Sequence, residues 1–141
     1  MKNYNCYIDG CCEPKNPGGT MGFGIYVIDD EGNEYKYSNF IPAKSDNTNN
    51  IAEYLALTQL LKTLNKKTGC EICIFSDSKM VVMQMLGKYR ISSGAYVSYA
   101  LEAQALLKKL LINNSINIMW IPREYNEIAD ELSKAHILKS K

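Results

Sequence analysis

The chain has 141 residues, a length typical of one domain, and we predict a single domain over residues 1–141. Hydrophobic residues make up 46% and charged residues 22% of the chain, which excludes an intrinsically disordered protein. No apolar run approaches the roughly 20 residues that span a bilayer, and no signal peptide opens the sequence. We therefore expect a cytoplasmic protein with no membrane partner.

The charge of the chain is nearly balanced. Sixteen Lys and Arg residues against fifteen Asp and Glu residues give a formal net charge of +1. Nucleic-acid-binding domains are commonly strongly basic, so charge alone does not predict such a partner. Bound cations can nevertheless hold a phosphate group, and the class of nucleic-acid-binding proteins stays open at this point.

The first part of the chain predicts three strands joined by short turns. Residues of strand type occupy Tyr4–Cys12, Thr20–Ile28 and Glu34–Phe40. Turn-forming residues separate them at Lys15–Gly19 and Asp29–Asn33. Such short connections favour an antiparallel meander.

The remainder of the chain alternates helical and strand patterns. Apolar residues recur at helical spacing from Ile51 to Leu64, and Gly69 follows as a stop signal. Later elements are predicted as strand Cys70–Ser76, helices Ser78–Leu86 and Ala95–Ile112, strand Ser115–Ile121 and helix Tyr125–Leu138. A meander followed by βαβ crossovers predicts an α/β fold with one mixed five-stranded sheet and helices on both faces.

The cysteines do not predict a disulfide scaffold or a thiolate metal site. Cys70 and Cys73 match a CxxC spacing but lie in a predicted strand. Residues three apart in a strand point to opposite faces, so both thiols cannot easily reach one ion. The adjacent Cys11 and Cys12 are interpreted as incidental.

Four acidic residues carry the functional hypothesis: Asp9, Glu53, Asp77 and Asp130. Taken singly, Asp77 could cap a helix and Glu53 could complement a helix dipole. Asp9 resists such an explanation, because a strand inside a sheet rarely accepts an unpaired carboxylate. The first and fourth strands lie side by side in this topology, and two helices could bring Glu53 and Asp130 over the same end.

Clustered carboxylates predict bound cations. Four negative charges repel one another unless something positive joins them, and two magnesium ions would balance them. Oxygen ligands without competing histidine or cysteine favour Mg²⁺ or Mn²⁺ over zinc. Two such ions, roughly 4 Å apart, suit in-line displacement at phosphorus, because one activates water and the other stabilises the leaving oxygen.

The ordered motifs resemble those of the ribonuclease H type 1 family and cover nearly the whole chain. They are Tyr7–Gly10, Asn16–Gly19 with Gly22 and Gly24, Thr48–Glu53, Ser76–Ser78 and Arg123–Leu132. The resemblance implies a ribonuclease H-like fold and an endonuclease that hydrolyses the RNA strand of RNA–DNA hybrids, leaving 5′-phosphate and 3′-hydroxyl ends. It also implies that Asp9, Glu53, Asp77 and Asp130 are the catalytic residues and hold two magnesium ions, with Mn²⁺ as a substitute.

The resemblance further implies a set of substrate-binding residues: Gly10, Cys11, Asn16, Thr48, Asn49, Asn50, Ser78 and Arg123. Asn49 and Asn50 match asparagines that lie in the minor groove, and Thr48 matches a threonine that helps to hold a DNA phosphate. Backbone groups beside Gly10 and Cys11 would meet ribose 2′-hydroxyls, the groups that distinguish RNA from DNA.

Three departures from the family pattern are visible. Many members carry a histidine in a loop before the last acid, whereas this chain has Arg123 there, which could hold a phosphate. His136, the only histidine, is interpreted as a surface or helix-end residue. The segment Gly87–Gly94 is too short for the basic protrusion of some members, and the loop before Asn16 is one residue longer than usual.

Two other functions remain open from the sequence. The domain could be a hybrid-binding module with weak or lost catalysis, although all four acids are present. It could instead be a two-metal nuclease of the same fold that acts on structured RNA or on DNA. No apolar surface stripe demands a protein partner, so we expect a monomer.

Overall fold

The computed structural model describes residues 1–139, which form five strands and five α-helices. The strands are β1 (Lys2–Glu13), β2 (Thr20–Asp29), β3 (Glu34–Ile41), β4 (Cys70–Ser76) and β5 (Ser115–Trp120). The helices are α1 (Asn49–Thr63), α2 (Lys79–Met85), α3 (Val97–Leu111), α4 (Glu127–Ser133) and α5 (Ala135–Lys139). None of the helices in this part of the chain is long and apolar enough to cross a membrane.

The five strands form one mixed sheet in the order β3-β2-β1-β4-β5. The pairs β1–β2 and β2–β3 are antiparallel, as tight turns allow, whereas β4 runs parallel to β1 and β5 parallel to β4. The predicted meander with βαβ crossovers is therefore confirmed. Its consequence for function is that β1 and β4 lie side by side at the centre of the sheet.

Helices cover the two faces of the sheet unequally. Even-numbered residues of β1, such as Cys6 and Ile8, join a buried core with Tyr54 and Leu57 of α1 and with α3. Residues of opposite parity in β1 point to the other face. There Cys11 donates a hydrogen bond from its thiol to the Ser133 carbonyl of α4. The chain thus has helices on both faces, with the larger apolar core beneath α1 and α3.

The predicted helix Tyr125–Leu138 is wrong as a single element. A 3₁₀ turn at Arg123–Tyr125 comes first, and the chain breaks at Lys134 between α4 and α5. The Ser133 hydroxyl donates to the Asp130 carbonyl at 2.7 Å, a local bond that competes with helix continuation. The N–H of Lys134 turns back to the carbonyl of Glu131, which closes α4.

His136, which the sequence predicts to be a surface or helix-end residue, lies at the start of α5 and is half-buried. Its ring stacks on Phe40 of β3 with 5.7 Å between the ring centroids, and both ring nitrogens are buried without a hydrogen-bond partner. The ring fits there because Gly22 has no side chain. A Cβ at Gly22 would lie 2.5 Å from the ring and 1.9 Å from the Ser133 carbonyl oxygen.

We therefore expect Gly22→Ala to destabilise the protein by about 3 kcal/mol or more, since the added methyl group forces α4 and α5 away from the sheet. Urea unfolding followed by circular dichroism measures this change. The control is Asn117→Ala at an exposed position of β5, where we expect a change within about 0.5 kcal/mol. Equal stability of Gly22→Ala and the native chain would contradict the described packing.

Candidate active site

Asp9, Glu53 and Asp77 converge at the centre of the sheet. Asp9 lies in β1, and Asp77 directly follows β4, whose last residue Ser76 pairs with Ile8. Glu53 reaches the same place from the second turn of α1. One oxygen from each of the three carboxylates lies within 4.8 Å of the others. The predicted meeting of these three side chains is thus present in the structure.

The close approach of α1 to β1 depends on Gly10. A Cβ at this position would lie 2.4 Å from the backbone nitrogen of Glu53 and from the carbonyl carbon of Ala52. The helix begins directly before this contact, because the Thr48 hydroxyl accepts a hydrogen bond from the Ile51 N–H at 3.2 Å. Glycine in the strand and the cap of the helix together place Glu53 beside Asp9.

Helix α4 brings Asp130 to the wall of the same cleft, outside the group of three carboxylates that lie within 4.8 Å of one another. Two contacts fix the helix there. The Asn126 side-chain amide donates to the Ile8 carbonyl at 2.9 Å. The Ser133 hydroxyl shares its proton between the Asp130 carbonyl at 2.7 Å and Asp9 Oδ2 at 3.3 Å. The fourth predicted acid therefore lines the same cleft as the other three.

Burial and mutual repulsion make the inner carboxyl groups poor acids. Asp9 is 4% exposed and Glu53 6% exposed. Burial, followed by the charge of Asp77, raises the pKa of Asp9 to about 8. Burial and the charges of Asp9 and Asp77 raise the pKa of Glu53 well above its ordinary value. In the absence of a cation, Asp9 therefore keeps its proton at neutral pH.

Asp130 has the opposite electrostatic environment. Partial burial raises its pKa, but the hydrogen bond from Asp9 and the charges of Lys134 and Arg123 outweigh that effect and lower the pKa overall. The Lys134 ammonium and the Arg123 guanidinium each lie 3.4 Å from Asp130 Oδ1. Asp130 is therefore an ionised carboxylate at the rim, beside three inner acids.

The donor set fits a hard divalent cation. Glu53 Oε2 is buried and has no hydrogen-bond partner, an arrangement that costs free energy unless a positive group meets that oxygen. Asp9, Glu53 and Asp77 offer only carboxylate oxygens, which Mg²⁺ and Mn²⁺ prefer. A cation at this position would relieve both the repulsion and the unpartnered oxygen.

The acids open into a cleft of about 500 Å³. Its walls include six of the eight predicted substrate-binding residues: Gly10, Cys11, Asn49, Asn50, Ser78 and Arg123. Their proximity to the acids is a structural fact, whereas their contacts with a substrate stay predictions.

The other two predicted substrate-binding residues, Asn16 and Thr48, lie beside the cleft. Asn16 donates from its side-chain amide to Asn49 Oδ1 at 2.9 Å and accepts the Asn49 backbone N–H at 3.1 Å. The longer loop before Asn16 therefore still brings this residue to Asn49. The hydroxyls of Thr48 and Ser78 both serve as helix caps, accepting backbone N–H groups of α1 and α2.

Sequence reasoning missed several residues of the site. Lys134 and Trp120 line the cleft, and Ser133 and Asn126 hold its walls. Lys134 follows Asp130 by four residues, a spacing that places both on one side of a helical turn and could have predicted their ion pair. The contacts of Ser133 and Asn126 with β1 join residues more than 100 positions apart and carry no local signal.

Comparison with known families agrees with this geometry. The family model of RNase H matches residues 1–137 of the chain. The chain belongs to the RNase H family. The predicted resemblance and the predicted fold are therefore confirmed, and the four acids lie together in a fold that this family shares.

Solved RNase H structures resemble the chain over nearly its full length. LC11-RNase H1, isolated from compost, superposes with a TM-score of 0.84 at 29% identity and covers 99% of each chain. LC11-RNase H1 in complex with an RNA/DNA hybrid gives a TM-score of 0.81 at 28% identity, covering 97% of this chain and 98% of that one. The N-terminal RNase H domain of Rv2228c from Mycobacterium tuberculosis gives 0.80 at 28% identity, covering 94% and 97%.

Curated relatives are longer proteins. The bifunctional protein Rv2228c of Mycobacterium tuberculosis is 36% identical over 86 residues, and an uncharacterised protein of Mycobacterium bovis, Mb2253c, matches equally. The match covers 61% of this chain and 23% of each relative. The similarity to these proteins therefore concerns a domain and not their whole length.

Proposed function

We propose that the chain is a metal-dependent endonuclease that hydrolyses the RNA strand of RNA–DNA hybrids and leaves 5′-phosphate and 3′-hydroxyl ends. The observation that carries the proposal is the convergence of three carboxylates within 4.8 Å in a cleft of the RNase H fold. A related structure at 28% identity, that of LC11-RNase H1, holds an RNA/DNA hybrid, which supports the substrate class.

Asp9, Glu53, Asp77 and Asp130 would hold two Mg²⁺ ions, and Mn²⁺ would substitute. When bound, such ions activate water for attack on phosphorus and stabilise the oxygen that leaves. The protein contributes the orientation of its carboxylates. Arg123 and Lys134 keep Asp130 ionised and ready to bind a cation, and Ser133 holds Asp9 through a hydrogen bond.

The cleft wall formed by the start of α1 suits the substrate. Asn49 is exposed, and its side chain is oriented by the hydrogen bond that Asn16 donates to it. We assign Asn49 and Asn50 to the minor groove of the hybrid and the backbone at Gly10 and Cys11 to ribose 2′-hydroxyls. Discrimination between RNA and DNA would follow from those 2′-hydroxyl contacts.

Arg123 takes the place of the histidine that many family members carry. Its side chain is 68% exposed, and its guanidinium is 3.4 Å from Asp130. Since an exposed ion pair of this length is weak, the Arg123 guanidinium can leave Asp130 and bind a substrate phosphate instead. We therefore assign it a role in phosphate binding beside Asp130.

A hybrid that carries different labels on its RNA and DNA strands tests the proposal. With Mg²⁺ at low salt, we expect cuts in the RNA strand alone, and we expect EDTA to abolish them. Double-stranded RNA and DNA should compete poorly under identical salt conditions. Binding of the hybrid without cleavage in either Mg²⁺ or Mn²⁺ would favour a hybrid-binding module. Preferential cleavage of structured RNA or of DNA would favour a different substrate.

A further inference from the structure

Trp120 is the one aromatic side chain among the described residues that line the catalytic cleft. It lies at the end of β5, where it pairs with Ser76 of β4. Its indole N–H donates to the Asp77 carbonyl at 3.1 Å. This bond uses the single polar group of the ring and fixes the indole beside the cluster of acids.

The exposed part of the ring has no explanation in the protein alone. Trp120 is 49% exposed, although the other residues of the cleft are mainly polar or charged. A tryptophan that is anchored by its N–H and keeps an apolar face in solvent presents a rigid contact surface. β5 is an edge strand, and no strand of the described residues lies beyond it.

We propose that Trp120 is a substrate-binding residue, whose exposed ring packs against the ribose edge of the nucleic-acid strand that passes over Asp77. The proposal rests on the proposed function, because it requires a hybrid in this cleft. In a duplex the base faces stack on one another, so the apolar surface that a wall residue meets is the C–H edge of the sugars. The indole would hold that edge while the hydrogen bond to Asp77 keeps the ring beside the acids.

Two substitutions separate contact with substrate from support of Asp77. Trp120→Phe keeps an aromatic ring but loses the N–H donor, whereas Trp120→Ala loses both. For a contact residue we expect Trp120→Ala to raise KM about fivefold with little change in kcat, and Trp120→Phe to restore most of the native KM. A residue that only supports Asp77 would instead lower kcat in both variants, with no rescue by Phe, and that result would overturn the proposal.

The native chain offers a direct readout, because Trp120 is its only tryptophan. Rapid mixing with an end-labelled hybrid in Mg²⁺ would follow the anisotropy of the label and the tryptophan emission before turnover. We expect both signals to change with the same dependence on hybrid concentration. Saturating anisotropy with unchanged tryptophan emission would overturn this inference alone. Absence of any rise in anisotropy would overturn the proposed function, and the inference with it.

Discussion

Asp77→Asn is expected to reduce cleavage of the RNA strand by at least about 10²–10³-fold, the loss typical when one preorganised electrostatic group is removed from an active site. Asp77 shares an oxygen cluster with Asp9 and Glu53 and is only half-buried, so an amide fits in its place. The amide nitrogen cannot bind a cation, and the neutral group lowers the negative charge that would attract one. Steady-state cleavage of a labelled hybrid measures the effect.

The matched control is Glu127→Gln on α4, which removes one exposed carboxylate outside the cleft that the four acids line. We expect this variant to keep native activity within about twofold, because an exposed charge outside the cleft contributes little to the electrostatics of the site. Circular dichroism should show both variants folded. Native activity in Asp77→Asn would contradict the assignment of Asp77 to the metal site.

Asp9→Asn is expected to abolish cleavage and at the same time to stabilise the metal-free protein by roughly 1–3 kcal/mol near pH 8. Asp9 is buried among other acids, so ionisation there is opposed by burial and by the charge of Asp77. Asparagine has nearly the same shape and can still accept the hydrogen bond from Ser133. Thermal unfolding in EDTA measures the gain.

Asp46→Asn serves as the control for this substitution, because Asp46 is exposed and should change stability by less than about 0.5 kcal/mol. Added Mg²⁺ should raise the unfolding temperature of the native chain, and it should raise that of Asp9→Asn much less. A metal-free Asp9→Asn variant less stable than the native chain would contradict the repulsion described among these acids.

The same electrostatics predict how the stability of the metal-free protein depends on pH. The pKa of Asp9 is about 8 in the folded chain and that of an unfolded aspartate is about 3.9. The folded state therefore binds this proton more tightly than the unfolded state does. The stabilisation that protonated Asp9 contributes is complete below about pH 4. We expect this contribution to be lost progressively as the pH rises towards 8. Urea unfolding in EDTA at several pH values, with Asp9→Asn as reference, measures the difference.

Much of the fold follows from local patterns. The sequence predicts the strand Cys70–Ser76 with the bounds that the structure shows, because a short, largely apolar run follows the stop signal at Gly69. The meander and the neighbouring positions of β1 and β4 followed from strand order and connection length. These two features bring Asp9 and Asp77 together, so that part of the site was predictable.

Other features depend on tertiary contacts that leave little trace in the sequence. The break at Lys134 accompanies the hydrogen bond of the Ser133 hydroxyl to the Asp130 carbonyl, and the His136 ring packs where Gly22 has no side chain. A single helical pattern does not reveal either feature. Likewise, the contact of Trp120 with Asp77 joins two parallel strands across a long connection. Hydrophobic periodicity and residue propensity are local signals, so they do not predict these contacts.

Anomalous diffraction from crystals grown with Mn²⁺ and a cleavage-resistant hybrid tests the central claim most directly. The claim is that Asp9, Glu53, Asp77 and Asp130 together hold the divalent ions that cleavage requires. We expect two manganese peaks bounded by these four side chains, beside the RNA strand. Peaks elsewhere, or no peak at the four acids under conditions that support cleavage of an ordinary hybrid, would contradict the assigned active site.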